Sequence, residues 1–174
     1  MTIDNDYFDL SGPEGLKAVF RNHATGIAIV TAADSDLKPI GFTASSVTSL
    51  GSTPPLISLN ISQGASSYPH VSTGKLVAVH TLDAQLLGLA QKLAGPKEER
   101  FLGDDFEIGP ESVPIFMEAS SVMVARVINK IEVESNAVVI LALESAHVTR
   151  SCEQPLVYFQ RGYHTIGDRL QDNF

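Results

Sequence analysis

Residues 41–62 read GFTASSVTSLGSTPPLISLNIS, a run of small hydroxyl-bearing residues that leads into an alternating apolar stretch. Six Ser or Thr residues lie between Thr43 and Ser52, and the segment carries no charge. In PLISLNI the apolar side chains recur at every second position, which predicts a half-buried strand. Pro54 and Pro55 have no N–H to donate to a β-ladder, so they mark the beginning of that strand.

Further strands are predicted on both sides of this segment. GIAIVTAA (26–33) and PIGFTASS (39–46) form a predicted strand pair around a turn at 34–38. LVAVHTL (76–82) predicts another strand. Two long strands, 121–135 and 137–150, follow with a tight junction near Ser135 and Asn136, and PLVYFQRGYHTI (155–166) predicts one last strand with a tail.

Two helices are predicted, one before the strands and one between them. Ser11 with Glu14 three residues later forms a capping-box pattern, and Leu16, Val19, Phe20 and His23 follow on one helical face. A second helix begins at Asp83, ends at Gly95-Pro96 and places Leu86, Leu87, Ala90, Leu93 and Ala94 on one face. Residues 96–114 are charged and rich in Gly and Pro, which predicts an exposed loop that is mobile or covers a site.

These elements predict a mainly β barrel or sandwich with helical decoration. Strict alternation of strands and helices is absent, and so is a G-x-G-x-x-G motif, so a parallel dinucleotide-binding sheet is not supported. At 174 residues, 44% hydrophobic and 18% charged, the chain is expected to form one domain, 1–174, with a short N-terminal arm of about residues 1–10.

The net charge and the cysteine content indicate which binding partners and which cellular compartment to expect. The formal net charge of −8 opposes nucleic acid and anionic membranes, because binding to phosphates requires Lys and Arg. Cys152 is the only cysteine, which excludes an intrachain disulfide and favours the cytoplasm. We expect neither a leader nor a membrane segment, since no apolar run of about 18 residues occurs.

Familiar catalytic motifs are missing from the sequence. The five histidines, His23, His70, His80, His147 and His164, are scattered without ligand spacing, so no metal site is expected. No G-x-S-x-G elbow is present, and Cys152 is given no role. The hydroxyl run at 43–52 has two interpretations, and its composition does not distinguish them. It is either a partly solvent-exposed strand at the edge of the sheet, or a site whose hydroxyls and backbone amides bind phosphate and a polyol.

The order of the segments separates those interpretations. ATGIAIVTA, GFTASSVTSLGSTPPLISLNIS, LVAVHTLDAQLLGLAQKLA, RFLG, VPIF and PLVYFQRGY together resemble the flavin reductase-like domain family, from about Leu16 to Tyr163. This family is the FMN-binding split barrel of the reductase components of two-component flavin-dependent monooxygenases. The resemblance implies a Greek-key split β-barrel with a few flanking helices, a homodimer, and FMN or FAD held without a covalent link.

The same resemblance implies the site residues. Thr43, Ala44, Ser45 and Ser46 would lie along the flavin ring and the ribityl chain, with Asn60 and Ser62 facing the same cofactor. Ser66 and Ser67 would lie at its phosphate end, and Arg100, in the pair Arg100-Phe101, would bind the phosphate with its planar fork. A solvated loop position is the alternative for Arg100.

Three positions concern the nicotinamide side of the flavin. Many members of the family carry G-D-H at the turn between the two long strands, where this chain has Glu134, Ser135 and Asn136, so the His is replaced by an amide. Tyr163 and His164 are candidates for the open face of the flavin or for the dimer neighbour, with a packed strand end as the alternative. His80 stands where the family often has Asn; contact with the flavin and a core position are its two alternatives, and the core position is favoured.

The resemblance predicts an NAD(P)H-dependent flavin reductase that supplies reduced flavin to a partner monooxygenase, with NADH or NADPH as substrate. The flavin performs the hydride chemistry, which accounts for the missing acid–base pair. A flavin carrier without efficient nicotinamide turnover is the alternative, because of Asn136. A related split barrel that binds haem or pyridoxal phosphate is a weaker third hypothesis.

Overall fold

The computed structural model describes residues 11–167, and the expected N-terminal arm lies outside them. Twelve strands and two α-helices make up this part of the chain. The helices are α1 (Gly12–Arg21) and α2 (Leu87–Ala94). The strands are β1 (Thr25–Gly26), β2 (Ala28–Ala33), β3 (Pro39–Ala44), β4 (Thr48–Ser52), β5 (Pro55–Ser62), β6 (Leu76–Thr81), β7 (Glu107–Ile108), β8 (Pro114–Ile115), β9 (Ser121–Val133), β10 (Asn136–Val148), β11 (Leu156–Phe159) and β12 (Gly162–Thr165).

Seven strands form one antiparallel sheet in the order β3-β2-β6-β9-β10-β5-β4. Strands β3 and β4 are its two edges, yet only residues 45–47 separate them along the chain. In a flat sheet these edges would lie about 29 Å apart at about 4.8 Å per strand. Four Cα steps span at most about 15 Å, so the sheet has to curl round until its edges meet. The predicted split barrel is thereby confirmed.

The barrel interior is filled by alternate residues of its strands. Strand β5 turns Ile57, Leu59 and Ile61 inward, as the alternation of its sequence predicted. They pack with Val30, Val77, Val79, Val127, Val139 and Leu141. On the outer face a second core lies beneath α2 and the segment before β9, with Ile29, Ala78, Leu86, Ala90, Leu93, Val113 and Phe116.

Helix α2 confirms the predicted second helix. The Asp83 carboxylate accepts the Gln85 N–H at 3.0 Å and caps a short 3₁₀ turn, Ala84–Leu86, that leads into the helix. Ala90 and Leu93 are buried, but Ala94 is exposed and does not belong to the buried face as predicted. Its position at the last turn, where the chain leaves the core, explains the difference.

Helix α1 begins where predicted, although its capping box is not formed. The Ser11 side chain caps no N–H, and Glu14 instead pairs with Lys17 at 2.8 Å. Its apolar face is on the surface: Leu16, Val19 and Phe20 are 60 to 68% exposed. The amphipathic pattern therefore predicted the helix correctly but did not say what covers its apolar face.

The C-terminal segment is a hairpin, so the prediction of one last strand was wrong. Strands β11 and β12 pair through a two-residue turn at Gln160 and Arg161, and with β1 they form a three-stranded sheet. Both turn residues have positive φ, 48° and 65°. Such turns favour Asn-Gly, and neither residue gives the usual sequence signal for them.

The segment 96–114 is not an irregular loop along its whole length. It contains the 3₁₀ turns Lys97–Glu99 and Pro110–Ser112, and β7 pairs with β8. Phe101 and Phe106 pack against the outer core and Val113 belongs to it, which fastens the segment to the barrel. Within residues 11–167, no helix has both the length and the apolarity needed to cross a bilayer.

Candidate functional site

A cleft of about 350 Å³ opens where β3 runs into β4. It is lined by seven of the residues predicted to bind the cofactor, which arrive from three parts of the chain: Thr43, Ala44, Ser45, Ser46, Asn60, Ser62 and Arg100. The contiguous hydroxyl run supplies one wall because the chain crosses from one edge of the barrel to the other there. Strand β5 supplies the facing wall, since it pairs with β4.

Two hydroxyls of this cleft form hydrogen bonds with backbone groups of the protein. Thr43 donates from Oγ1 to the Ala90 carbonyl at 2.6 Å, which ties β3 to α2. Ser46 Oγ donates to the Asn60 carbonyl at 3.2 Å and accepts the Asn60 N–H at 2.9 Å, which extends the β4–β5 pairing across the barrel closure. The Ala44 side chain belongs to the barrel core.

The polar groups turned toward solvent in the cleft are those of Ser45, Asn60 and Ser62, all exposed. Ser62 Oγ accepts the Gly64 N–H at 3.3 Å and keeps its own hydrogen for another partner. Together these side chains offer donors and acceptors without charge. Such a set suits a neutral, hydroxyl-rich or carbonyl-bearing ligand.

Arg100 provides the positive charge of the cleft in a fixed position. Its Nε donates to the Gly95 carbonyl and its Nη1 to the Gly41 carbonyl, each at 2.9 Å. Ser66 Oγ lies 3.5 Å from Nη1. Among the described residues no carboxylate pairs with Arg100. The backbone therefore orients the guanidinium while Nη2 remains available to an anion.

A second cavity of about 150 Å³ lies on the other side of Arg100. Ser66, Ser67, Phe101, Lys97 and Glu98 line it. Sequence reasoning named the first three and missed Lys97 and Glu98, although the run KEER beside Arg100 signalled a charged wall. Arg100 is the residue that lines both cavities, so it lies between the hydroxyl-lined cleft and the cavity that contains Lys97 and Glu98.

Ser67 and Phe101 have structural contacts that the sequence did not reveal. Ser67 is 2% exposed, and its hydroxyl donates to the Gly41 carbonyl at 3.4 Å. The Phe101 ring lies over Gly41, where a Cβ would come within 2.8 Å of its Cζ. Phe101 also stacks on Phe116 with 6.1 Å between ring centroids. Gly41 is thus required for the close approach of this ring, a role that no motif predicted.

Asn136 lies beside the cleft at the start of β10, directly opposite Ser62 in the ladder. Its carbonyl accepts from Gln63 Nε2 at 3.2 Å, and its side-chain amide donates to Ser135 Oγ at 3.4 Å. Gln63 also donates to the Glu134 carbonyl at 2.7 Å. The turn that replaces G-D-H is therefore bound to the end of β5 and presents an exposed amide.

Tyr163 and His164 lie in β12, and neither lines the cleft of this chain. The Tyr163 ring packs edge-on against Tyr158 with 5.4 Å between centroids, and burial followed by the Tyr158 charge raises the pKa of Tyr163. His164 is exposed, with its ring 6.0 Å from that of Phe159. A single chain therefore places Asn136 beside the cleft, opposite Ser62, but leaves Tyr163 and His164 on another sheet.

His80 is a core residue, as the sequence analysis favoured. It is 0% exposed, and its Nδ1 lies 3.1 Å from the Ile29 carbonyl. Its Nε2 accepts the Phe116 N–H at 3.2 Å, which leaves the proton on Nδ1. Burial lowers the pKa of His80 to about 4, and the bond to Ile29 opposes that shift. The imidazole is neutral and joins β2 to the segment before β9.

Comparison with known proteins identifies the family to which the chain belongs. The family model described as "Flavin reductase like domain" matches residues 20–167. A probable flavin reductase of Rhizobium meliloti (strain 1021) is 33% identical over 109 residues, which cover 63% of this chain and 35% of that protein. The chain therefore spans about a third of the length of that relative.

Two further proteins are matched over most of their length. The NADH:FMN oxidoreductase of Rhodococcus qingshengii is 30% identical over 152 residues, covering 85% of this chain and 79% of that protein. The crystal structure of a flavin reductase domain protein from Arthrobacter sp. FB24 superposes with a TM-score of 0.87 at 32% identity, covering 92% and 99% of the two chains. The chain belongs to the flavin reductase-like domain family.

Proposed function

We propose that this protein is an NAD(P)H-dependent flavin reductase that supplies reduced FMN or FAD to a partner monooxygenase. One observation carries the proposal: a single cleft combines uncharged hydroxyl and amide groups with an oriented arginine that keeps Nη2 free. A flavin nucleotide has the matching order of parts, namely a neutral ring edge, a polyol chain and a phosphate. The name of the Rhodococcus relative, NADH:FMN oxidoreductase, supports the same assignment.

The residues of the cleft fit a flavin. Its volume of about 350 Å³ falls in the range of about 300–1,000 Å³ that is usual for small-molecule sites. Ser45, Asn60 and Ser62 would bind the ring edge and the ribityl hydroxyls, because their polar groups face solvent there. Arg100 would bind the phosphate through Nη2, a charge-assisted bond that its backbone partners pre-orient.

A bound flavin supplies the hydride chemistry, and the chain has to hold and orient it. No acid–base pair is needed for that task, which agrees with a cleft whose lining side chains are uncharged apart from Arg100. Asn136 lies at its edge and would donate its amide N–H to the nicotinamide carboxamide. It holds no titrating proton, so we expect turnover whose pH dependence does not report a histidine at this turn.

Oxidation of NADH and NADPH, followed at the nicotinamide absorbance with FMN, FAD or riboflavin added, tests the activity. We expect oxidation that requires both a nicotinamide nucleotide and a flavin, with reduced flavin accumulating under anaerobic conditions. Omission of the flavin is the control. Absence of flavin-dependent oxidation with either nucleotide would refute the reductase.

A flavin carrier is the second candidate, favoured by the amide of Asn136 in place of the family's imidazole. It predicts that the protein binds flavin and quenches its fluorescence without oxidising either nucleotide. Asn136→His distinguishes the two: a gain of turnover from a very low wild-type rate supports the carrier, whereas a similar rate in both proteins supports the reductase. The absorption spectrum of the purified protein also separates a flavin from haem or pyridoxal phosphate.

We further propose a homodimer in the cytoplasm. The exposed apolar faces support the dimer: Leu16, Val19 and Phe20 on α1, together with Ile131 and Val133 on β9, are 48 to 68% exposed. A second copy would cover such a surface, and Tyr163 and His164 stay candidates for contact with it. Light scattering after size exclusion tests the dimer. The single, exposed Cys152 supports a reducing compartment, since a free thiol persists there.

A further inference from the structure

The cavity beyond Arg100 combines positively and negatively charged side chains. Lys97, Glu98 and Arg100 are the charged side chains that line it, with Ser66 and Ser67 as hydroxyl neighbours. We propose that this cavity makes the protein selective for FMN over FAD, with Lys97 and Glu98 as the specificity-determining residues. The inference rests on the proposed function, because it assumes that the cleft holds a flavin.

The terminal phosphate of FMN suits two cations better than the inner phosphate of FAD does. A phosphate monoester carries about −1.5 to −2 charge near neutral pH and has three free acceptor oxygens. In FAD the same phosphorus is part of a pyrophosphate, so it has one negative charge and two free oxygens. Arg100 presents Nη2, and Lys97 forms no ion pair among the described residues. Both cations are therefore available to a dianion.

The size of the cavity also favours a terminal phosphate. At about 150 Å³ it is comparable with a cavity that holds benzene, and it is half the lower limit of about 300 Å³ for drug-sized ligands. The adenosine monophosphate part of FAD is too large to lie inside this cavity and would have to extend out of it into solvent. Phe101 forms part of the wall and is itself held between Phe106 and Phe116, with centroids 5.4 and 6.1 Å away, so this side does not widen easily.

Glu98 opposes the remainder of FAD. Glu98 is an exposed residue that lines the cavity. In this proposal the second phosphate of FAD extends past the Glu98 carboxylate into solvent. Like charges at short range are unfavourable even near a surface. Lys97 thus attracts the monoester and Glu98 disfavours the extended dinucleotide, which gives each residue a separate effect to measure.

Titration of the purified protein with FMN, FAD and riboflavin, followed by quenching of flavin fluorescence, tests the inference. The variants are Lys97→Gln and Glu98→Gln, and Lys75→Gln is the matched control because Lys75 is an exposed lysine on another turn. We expect wild type to bind FMN about tenfold or more tightly than FAD or riboflavin. Lys97→Gln should weaken FMN by about threefold to tenfold and leave riboflavin unchanged. Glu98→Gln should narrow the gap between FMN and FAD, and the control should change neither.

The pH provides an independent measurement. When the pH is lowered from about 7.5 to about 5.5, the dianionic phosphate of FMN takes up one proton and becomes a monoanion, since its second pKa is near 6. The affinity for FMN should therefore fall as the pH is lowered over this range. The affinity for FAD should change little, because its phosphates stay singly charged. A pH-independent ratio of the two affinities would contradict the role of the dianion.

The outcomes separate the two proposals. A preference for FMN that Lys97→Gln reduces supports the inference. Binding of FAD as tight as that of FMN overturns it, and so does equal binding of FMN and riboflavin, while both leave the flavin-binding function intact. Failure to bind any of the three flavins overturns the proposed function and the inference with it.

Discussion

The Thr43 hydroxyl donates to the Ala90 carbonyl at 2.6 Å and so joins the barrel to helix α2, which covers its outer core. Thr43 is half-buried, and the carbonyl it serves belongs to the middle of α2. The hydroxyl is therefore part of the scaffold of the cleft. Its contribution to ligand binding is expected to come through the position of α2.

Thr43→Val removes this hydroxyl and keeps the side-chain shape. We expect the free energy of unfolding to fall by about 1 kcal/mol, the usual worth of one such hydrogen bond. Thr43→Ser, which retains the donor, is the matched control and should lose less. Urea denaturation measures both. A Thr43→Val protein as stable as wild type would show that the bond contributes nothing to stability.

Arg100→Ala should weaken FMN by about tenfold to a hundredfold, because a charge-assisted bond to phosphate contributes about 1.5–3 kcal/mol. Riboflavin has no phosphate and should lose much less affinity. Some loss for both ligands is expected, since the Gly41 and Gly95 carbonyls also lose a donor. Fluorescence titration gives the two ratios, and equal losses for FMN and riboflavin would reject the phosphate role.

Gly41→Ala tests whether the packing of Phe101 positions Arg100. The new Cβ would lie 2.8 Å from Phe101 Cζ and 3.0 Å from Leu93 Cδ1, so the ring has to move. We expect a stability loss of about 1–3 kcal/mol from overpacking and weaker binding of FMN. Gly88→Ala is the control: its Cβ meets nothing within 4 Å, and Ala in a helix is favoured over Gly by about 0.5–1 kcal/mol. Unchanged FMN binding by Gly41→Ala would show that the packing of the Phe101 ring does not position Arg100.

His80 makes the fold sensitive to acid. Burial lowers its pKa to about 4 from the ordinary 6.5, so folding favours the neutral ring. The corresponding stability is complete above pH 6.5 and is lost as the pH falls toward 4. Between pH 7 and pH 5 the loss attributable to His80 is about 2 kcal/mol. Urea denaturation at both pH values measures it, and His80→Asn should lose less stability over the same range. The same pH dependence in both proteins would assign the acid sensitivity to other groups.

The sequence predicted the strands well where one face is buried. The alternation in β5 placed Ile57, Leu59 and Ile61 correctly, because period two follows directly from strand geometry. It failed at Gln160 and Arg161, whose positive φ values are imposed by the pairing of β11 with β12 and have no composition signal. It also left the exposed apolar face of α1 without an explanation, since periodicity identifies a face but not its partner.

The candidate site was predictable in part for a similar reason. Residues 43–46 are contiguous and Asn60 lies on the neighbouring strand, so a family resemblance was enough to place them together. The engagement of Thr43 with Ala90 and the close approach of Phe101 to Gly41 depend on packing between distant segments. Such contacts have no local pattern. Lys97 was missed because a charged loop residue gives the same signal whether or not it lines a cavity.

The short link at residues 45–47 gives the cleft a mechanical role in the barrel. Ser45 and Ser46 line the cleft, and the same link joins the two edges of the sheet. Any fluctuation that opens the barrel at this seam must also separate the walls around a ligand. A bound flavin would stabilise the closed barrel by contacting both walls of the cleft. Amide hydrogen exchange should therefore slow along β3, β4 and β5 more than along the distant hairpin of β11 and β12.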